Sequence, residues 1–338
     1  MSNDPQSGTA NVPEIGRRNV LRAAVLGGTA IGGVVATTLP GGRAESTPRP
    51  RRRLGTAGVR MRWLGVAGWQ LTFDDHVLWF DPYLSRFDYT ANGGALTVRA
   101  DAIEGLLAKG RISGPPEIIM ISHGHFDHIA DIPYLLGRPE WAGKTIHTLG
   151  SETHRNLLAA MGNTRPVIQV SGGEEFSFSN GAYTIQVIRS LHSQSFNYGF
   201  PYPGSLTAQP TTPSTIKDLL EGGTLAYLVT IPDRLSVLMF GGTNFIEREL
   251  VGLRPDVAAV CMTFHNAVNH YLERLLTVLS GPLWVMPSHH DNMVTGFDDP
   301  ALPGTINTSA VTELRQTVQS LRLNTQVIAP QHLTEIAF

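Results

Sequence analysis

Residues 121 to 131 read Ile121-Ser122-His123-Gly124-His125-Phe126-Asp127-His128-Ile129-Ala130-Asp131. Four ligand-type side chains, His123, His125, Asp127 and His128, fall within six positions. They follow the apolar run Ile118-Ile119-Met120-Ile121, which Pro115-Pro116 bounds on its N-terminal side. A short apolar run after a turn signal reads as a buried strand. The cluster is therefore expected on the loop leaving the C-terminal end of that strand. Three imidazoles and a carboxylate on one loop suit zinc or a similar borderline divalent cation. Gly124 is expected to leave room for a turn that points His123 and His125 the same way. The competing reading is a polar loop with incidental histidines, which the dense spacing disfavours.

This pattern resembles the HxHxDH motif of the metallo-β-lactamase superfamily. The resemblance runs from about Met61 to the C-terminus and includes the Asp81-Pro82-Tyr83 step after an early strand. On its own, Asp-Pro merely favours a turn. The resemblance implies an α+β fold, a four-layer αββα sandwich. It also implies a further histidine downstream, met by His192 after the alternating run Tyr183–Ile188. A late histidine follows Leu283-Trp284-Val285-Met286-Pro287-Ser288, and His289, two residues past the proline, fits the UlaG-like branch better than His290. By this resemblance His123, His125 and His192 form a first metal site, and Asp127, His128 and His289 a second.

One member of the pattern is absent. Where the superfamily places a metal-bridging aspartate in a Gly-Asp-Thr step, this chain has Gly241-Gly242-Thr243-Asn244. Glycine offers no ligand atom. One zinc ion is therefore expected, with two as the alternative, and Asn244 or His265 stand as substitutes for the missing group. If the glycine leaves the second site empty, Asp127 is free to orient a water and accept its proton.

The function implied is a metal-dependent hydrolase acting on an ester, lactone, amide or phosphodiester of a small-molecule substrate, through a zinc-ionised water. Two other readings stand beside it: a non-catalytic metal-binding protein, and an iron redox enzyme, which the loss of the bridging carboxylate at Gly242 disfavours. No Gly-x-Ser-x-Gly step occurs, so no serine hydrolase is indicated. The segment 193–223 is long and rich in Pro and Thr, and carries Phe196, Tyr198, Phe200 and Tyr202. Loops of that length are usually functional or disordered. Starting next to His192, it is expected to supply an apolar substrate wall, with Phe196, Tyr198 and His265 as candidate substrate contacts. His76, His147, His154 and His332 have no partner in sequence and are expected to be unremarkable, and His270 solvated.

The front end carries a different message. Arg17-Arg18 precede a weakly apolar run from Ala23 to about Leu39, then Gly42-Arg43-Ala44. This resembles a twin-arginine signal with a cleavage site. The run is short for a membrane span. The expected organisation is a signal over 1–44, a linker over 45–60 and one domain over 61–338. The expected partner is the twin-arginine translocation machinery, with export and no stable span after processing.

Composition bounds the rest. The chain has 338 residues, 26 basic and 28 acidic, and 42% hydrophobic residues. Arg17, Arg18, Arg22 and Arg43, with Asp4 and Glu14, lie in 1–44, so 22 basic and 26 acidic residues remain beyond it. That balance carries no basic footprint for nucleic acid. Cys261 is the single cysteine, so no intrachain disulfide can form, and its apolar strand marks it as core.

Overall fold

The structure, a computed structural model, describes residues 53–195 and 197–338. Residues 1–52, on which the expected twin-arginine signal and the first part of the expected linker fall, and Phe196 lie outside the described residues. Among the described residues no helix is long and apolar enough to cross a membrane.

In chain order the strands are β1 (Val59–Trp63), β2 (Trp69–Phe73), β3 (His76–Phe80), β4 (Ile118–Met120), β5 (His147–Gly150), β6 (Val167–Gln169), β7 (Glu175–Phe178), β8 (Tyr183–Arg189), β9 (Leu225–Ile231), β10 (Leu235–Phe240), β11 (Val257–Cys261), β12 (Trp284–Ser288), β13 (Gln326–Val327) and β14 (Glu335–Ala337). The helices are α1 (Ala100–Ala108), α2 (Phe126–Ile129), α3 (Ile132–Leu136), α4 (Glu152–Ala160), α5 (Glu247–Leu250), α6 (Tyr271–Val278) and α7 (Thr308–Ser320). β1 begins inside the span expected as linker, and before it the Gly55 and Ala57 amides already donate to the Ala337 and Phe338 carbonyls.

Two seven-stranded sheets form, in the orders β14-β1-β2-β3-β4-β5-β6 and β13-β12-β11-β10-β9-β8-β7. In each, an antiparallel portion gives way to parallel strands: β3 to β6 in the first, β10 to β13 in the second. Strand alternation then sorts side chains between layers. From β4, Ile118 and Met120 enter the core between the sheets, while Ile119 faces the helices outside. From β11, Val257, Ala259 and Cys261 point inward, and Ala258 and Val260 pack under α6 and α7. Both faces of these strands are covered, which is why they read as unbroken apolar runs in the sequence. Each fully buried Ile, Leu, Val or Met contributes about 1.5–3 kcal/mol.

Outside the first sheet, Ile103 and Leu106 of α1, Leu135 of α3 and Leu157 and Leu158 of α4 close one helical layer. Outside the second, Leu272, Leu275 and Leu276 of α6 and Leu314 of α7 close the other. The result is the αββα metallo-β-lactamase sandwich.

Between α2 and α3, Asp131 turns its carboxylate to the Leu84 and Ser85 amides, and Pro133 sits in the first turn of α3, so the stretch forms two short helices and not one. Ahead of β9, Ile216–Asp218 forms one 3-10 turn, held by a Thr215/Asp218 capping box. β7 and β14 carry too few apolar residues to signal themselves. β14 exists because β1 offers it an edge, with Met61 opposite Ile336. Cys261 is fully buried and its thiol hydrogen bonds to the Phe240 carbonyl, as a core cysteine.

Candidate metal centre

Five strand ends deliver the site to one rim of the sandwich. Asp81 follows β3, Ser122 to His128 follow β4, His192 follows β8, Gly241 and Gly242 follow β10, and His289 follows β12. Segments that leave these strands at their C-terminal ends converge there, and a rigid scaffold aims their side chains.

His123, His125 and His192 bring one ring nitrogen each to within 4.8 Å of one another. Their ring centroids stand 4.8, 4.7 and 4.7 Å apart, and the rings cross at 83°, 88° and 72°. This is a near-equilateral triangle of mutually steep rings. Nδ1 of His125 lies 3.1 Å from Nε2 of His192. Burial, reinforced by neighbouring histidines, drives His123 well below the ordinary imidazole range. Burial also brings His125 down to about 4 and His192 to about 3. All three rings are therefore neutral at pH 7 and present lone pairs.

Asp127, His128 and His289 form a second group with ligand atoms within the same 4.8 Å. The Asp127 Oδ2 atom lies 3.2 Å from Nε2 of His289 and 3.4 Å from Nε2 of His128. Burial alone would raise the Asp127 carboxyl, but the facing His128 and His289 hold it well below the carboxylate range. Burial alone would depress His128. The flanking Asp127 and Asp81 carboxylates outweigh it and push the ring to about 10. Two buried carboxylates around one imidazole thus create a demand for positive charge, which a divalent cation would meet.

The donor chemistry fits such an ion. Three neutral imidazoles are an open catalytic set, and carboxylate plus two imidazoles suits a second borderline cation. Nε2 of His128 is buried without an aligned hydrogen-bond partner, as expected of an atom that faces a ligand position.

Asp81 enters as more than a turn residue. It is fully buried and held at φ +42°. Its Oδ2 accepts from Ser122 Oγ at 2.5 Å and from His128 Nδ1 at 2.7 Å, and its Oδ1 accepts from the Ser122 amide at 2.7 Å. With its proton given to Asp81, Ser122 Oγ has lone pairs for His123 Nδ1 at 3.0 Å. One carboxylate therefore sets the tautomer of a ligand in each group and leaves both Nε2 atoms free to face a cation. The sequence offered only the Asp-Pro step as a signal for it.

The glycines of the region are explained by close approach. A Cβ on Gly124 would strike the Leu220 carbonyl, and the Gly124 amide donates to Glu221 O at 2.8 Å. Gly124 thus admits the 220–221 backbone between the two ligand histidines, and it has no positive φ. A Cβ on Gly241 would collide with Ser122. One on Gly242 would sit 3.1 Å from Leu191 O and 3.5 Å from His192 Cα.

Both expected substitutes have partners of their own. Asn244 turns its Oδ1 back to the Phe245 amide at 2.9 Å. His265 spends both nitrogens elsewhere, Nδ1 on Met262 O and Nε2 on Glu313 Oε2, each at 2.6 Å. As a substrate contact His265 is also misplaced, because it opens onto a groove with His270 and Glu313. His270 is exposed, as expected.

Of the loop's described aromatics, Tyr198 is 89% exposed, whereas the Phe200 ring lies 4.5 Å from His192 and the Tyr202 ring 6.1 Å from His125; Phe196 lies outside the described residues. The Tyr202 carbonyl anchors the loop by accepting from the Glu221 amide, and the Leu206 amide donates to Thr153 Oγ1. A cavity of about 520 Å³ opens beside Phe200 and His192, with Leu191, Leu206 and Arg189 also in its wall.

Three histidines expected to be unremarkable have firm partners. His76 Nδ1 meets Glu117 Oε2 at 2.7 Å. His154 is fully buried in a capping box with Ser151, and His332 Nε2 meets Asp291 Oδ2 at 2.8 Å. His290 packs its ring on Trp63 with the centroids 4.7 Å apart, outside both clusters.

Comparison with known proteins bears on this site. Residues 92–205, which contain the whole histidine-rich loop and His192, match the sequence model of the metallo-β-lactamase superfamily. A metal-dependent hydrolase of Xanthobacter autotrophicus is 25% identical over 137 residues, 40% of this chain and 49% of the relative. The chain therefore spans about half the length of the curated relative it matches. Among solved structures, a metallo-hydrolase of Ignicoccus hospitalis KIN4/I superposes with a TM-score of 0.51 at 16% identity, covering 83% of this chain and 98% of the other. An isothiocyanate hydrolase from Delia radicum gut bacteria gives 0.51 at 16%, covering 82% and 99%. A diiron β-hydroxylase of Streptomyces venezuelae, CmlA, gives 0.51 at 14%, covering 86% and 55%. These structures share the fold, and the chemistry each performs is its own.

Proposed function

We propose that this chain is a metal-dependent hydrolase whose principal cation is held by His123, His125 and His192. The observation that carries the reading is the near-equilateral triangle of three neutral imidazoles at a strand-end rim. Asp127, His128 and His289 would hold a second, weaker ion. The all-nitrogen and oxygen donor set favours zinc over softer ions.

A bound divalent cation supplies Lewis acidity, making water a nucleophile at neutral pH and withdrawing electron density from a carbonyl or phosphoryl oxygen. The chain's own residues do the rest. Asp127 stays negative and is the carboxylate beside both groups, placed to orient a water and accept its proton. Asp81 and Ser122 keep His128 and His123 in one tautomer. Phe200 covers the His192 ring and narrows the route for bulk water. The substrate class is an ester, lactone, amide or phosphodiester. Residues 1–44 would direct export by the twin-arginine route, and the domain is of the UlaG-like kind.

The test is metal analysis of purified protein followed by a substrate panel with and without a chelator. Hydrolysis of a panel member that disappears on chelation and returns with zinc supports the reading. Absence of bound metal after zinc loading, or turnover indifferent to chelator, would overturn it. Visible absorption of the protein as isolated separates iron from zinc.

A further inference from the structure

The buried charge network next to His289 has no role in the reading above. Arg86 NH1 and Asp291 Oδ2 lie 2.9 Å apart, and both side chains are fully buried. Buried ion pairs are weak evidence for stability, since desolvation offsets much of their attraction. Their geometric consequences are better evidence of purpose, and here they converge on one ligand.

Asp291 stands two residues after His289. Its Oδ1 accepts from the Val66 amide at 3.0 Å, and Val66 O accepts from the His289 amide at 2.6 Å. The β1–β2 turn is thus bracketed by both ends of the tripeptide His289 to Asp291. Trp63 Nε1 donates to the same Val66 carbonyl at 2.9 Å. Arg86 also donates from Nε to Thr295 O at 2.5 Å and from its other arm to Asn292 O. His332 completes the group with its bond to Asp291 Oδ2, and its ring stacks on Trp63 at 4.3 Å. Val66, Arg86 and His289 all sit in the left-handed region, at φ +49°, +46° and +50°. Non-glycine residues stay there only when surrounding contacts over-determine them. Gly65 makes room for the network, since a Cβ on it would run into the Arg86 guanidinium.

We propose that the Arg86–Asp291 pair, completed by His332, fixes the backbone of His289 so that its ring meets Asp127, which makes Arg86 and Asp291 positioning residues for the second donor group. This rests on the metal reading above. The loop from Asp81 to Arg86 then carries one anchor at each end: Asp81 for His128, and Arg86 for the segment bearing His289.

The experiment compares full-length wild type with His289→Ala, Asp291→Asn and the paired substitution Arg86→Met with Asp291→Leu. Each is loaded with zinc for chelator-competition titration and with cobalt for visible spectra. Asp291→Asn is expected to weaken the second ion about 10- to 100-fold. It should reproduce the His289→Ala spectrum and leave the first ion's affinity within about threefold of wild type, since the His123 group shares no contact with Asp291. The paired substitution removes both buried charges together, so it separates loss of position from an unpaired charge; it too should lose the second ion. Where a variant folds poorly, His332→Ala, which keeps the ion pair, is expected to show a smaller loss of the same kind. If His289→Ala loses an ion while Asp291→Asn and the paired variant bind both as wild type does, the positioning role is overturned. Equal weakening of both ions overturns it as well. If His289→Ala itself binds as many ions as wild type, the second metal site falls, and the clamp with it.

Discussion

The Asp81 carboxylate lies 2.7 Å from Nδ1 of His128, and the same oxygen takes the Ser122 hydroxyl proton at 2.5 Å. A carboxylate has only lone pairs to offer, so the imidazole must donate from Nδ1. This single relationship decides that His128 faces the site with Nε2, and through Ser122 it decides the same for His123.

Asp81→Asn tests it. An asparagine presents one acceptor oxygen and one NH2 group. Either the NH2 faces the Ser122 amide proton, or it faces the Ser122 hydroxyl and His128 Nδ1. In the first case the Ser122 amide loses its acceptor and the loop carrying His123 is loosened; in the second the Ser122 hydroxyl and His128 Nδ1 lose theirs, and the tautomers are disturbed. Metal affinity measured by chelator competition is expected to fall about 10- to 100-fold. Unchanged affinity would show that the hydrogen bonds to Asp81 do not orient the ligands.

Gly241→Ala reaches the same hub from the second sheet. The added methyl collides with the Ser122 side chain and comes within 2.8 Å of Asp81 Oδ2. Overpacking of this kind costs about 1–3 kcal/mol. The variant is expected to melt several degrees lower and to bind metal more weakly. A melting curve and metal titration matching wild type would contradict the packing described.

Glu313→Ala should leave metal content and turnover as they are. Glu313 binds His265, away from both clusters, and its side chain is 42% exposed, so the loss of stability is at most about 1 kcal/mol. A fall in metal content would return His265 to the site.

Within the long loop, Phe200→Ala and Tyr198→Ala should differ. Phe200 packs on His192, while Tyr198 stands in solvent. On any substrate found by the panel, the first is expected to change KM or kcat several-fold and the second neither. Equal effects would remove Phe200 from the wall.

His154 sets part of the acid limit. Its Nδ1 accepts the Ser151 amide proton at 2.9 Å, and burial lowers the ring to about 3. The unfolded chain binds a proton at this histidine near pH 6.5, whereas the folded chain refuses it until about pH 3. Its contribution to stability is therefore complete above pH 6.5 and is lost on acidification from there to about 3, at about 1.4 kcal/mol per pH unit. His154→Gln keeps a side chain that can accept the Ser151 amide bond without titrating. Denaturant unfolding between pH 6 and 4 should show an acid slope smaller by about one proton in the variant. Identical slopes would mean that His154 does not titrate on unfolding.

Much of the site was legible because its ligands are dense in sequence. His123, His125, Asp127 and His128 share one loop after one apolar strand, and the strand periodicity located His192 and His289 at strand ends. Cys261 was legible as core for the same reason. The expected substitutes Asn244 and His265 were not separable from the candidate ligands by position alone. Both follow strands that end near the rim, and only their hydrogen bonds show where their polar atoms are spent.

The amino-acid sequence by itself determined that this chain alternates buried strands with covering helices, and that a metal-binding loop leaves one of the central strands. Local chemistry carries that information: apolar periodicity, turn residues and ligand spacing are all written within a few positions. Only the tertiary structure decided that Asp81 orients two ligands, that Phe200 rather than Tyr198 covers His192, and that Arg86, Asp291 and His332 surround the turn beneath His289. The Asp81–Ser122 and Val66–Asp291 bonds join residues 41 and 225 positions apart, and groups so distant find one another only when two sheets pack and their strand ends meet at a common rim; Phe200 is near His192 in sequence, but the path of the loop, not its composition, sets which aromatic turns to the ring.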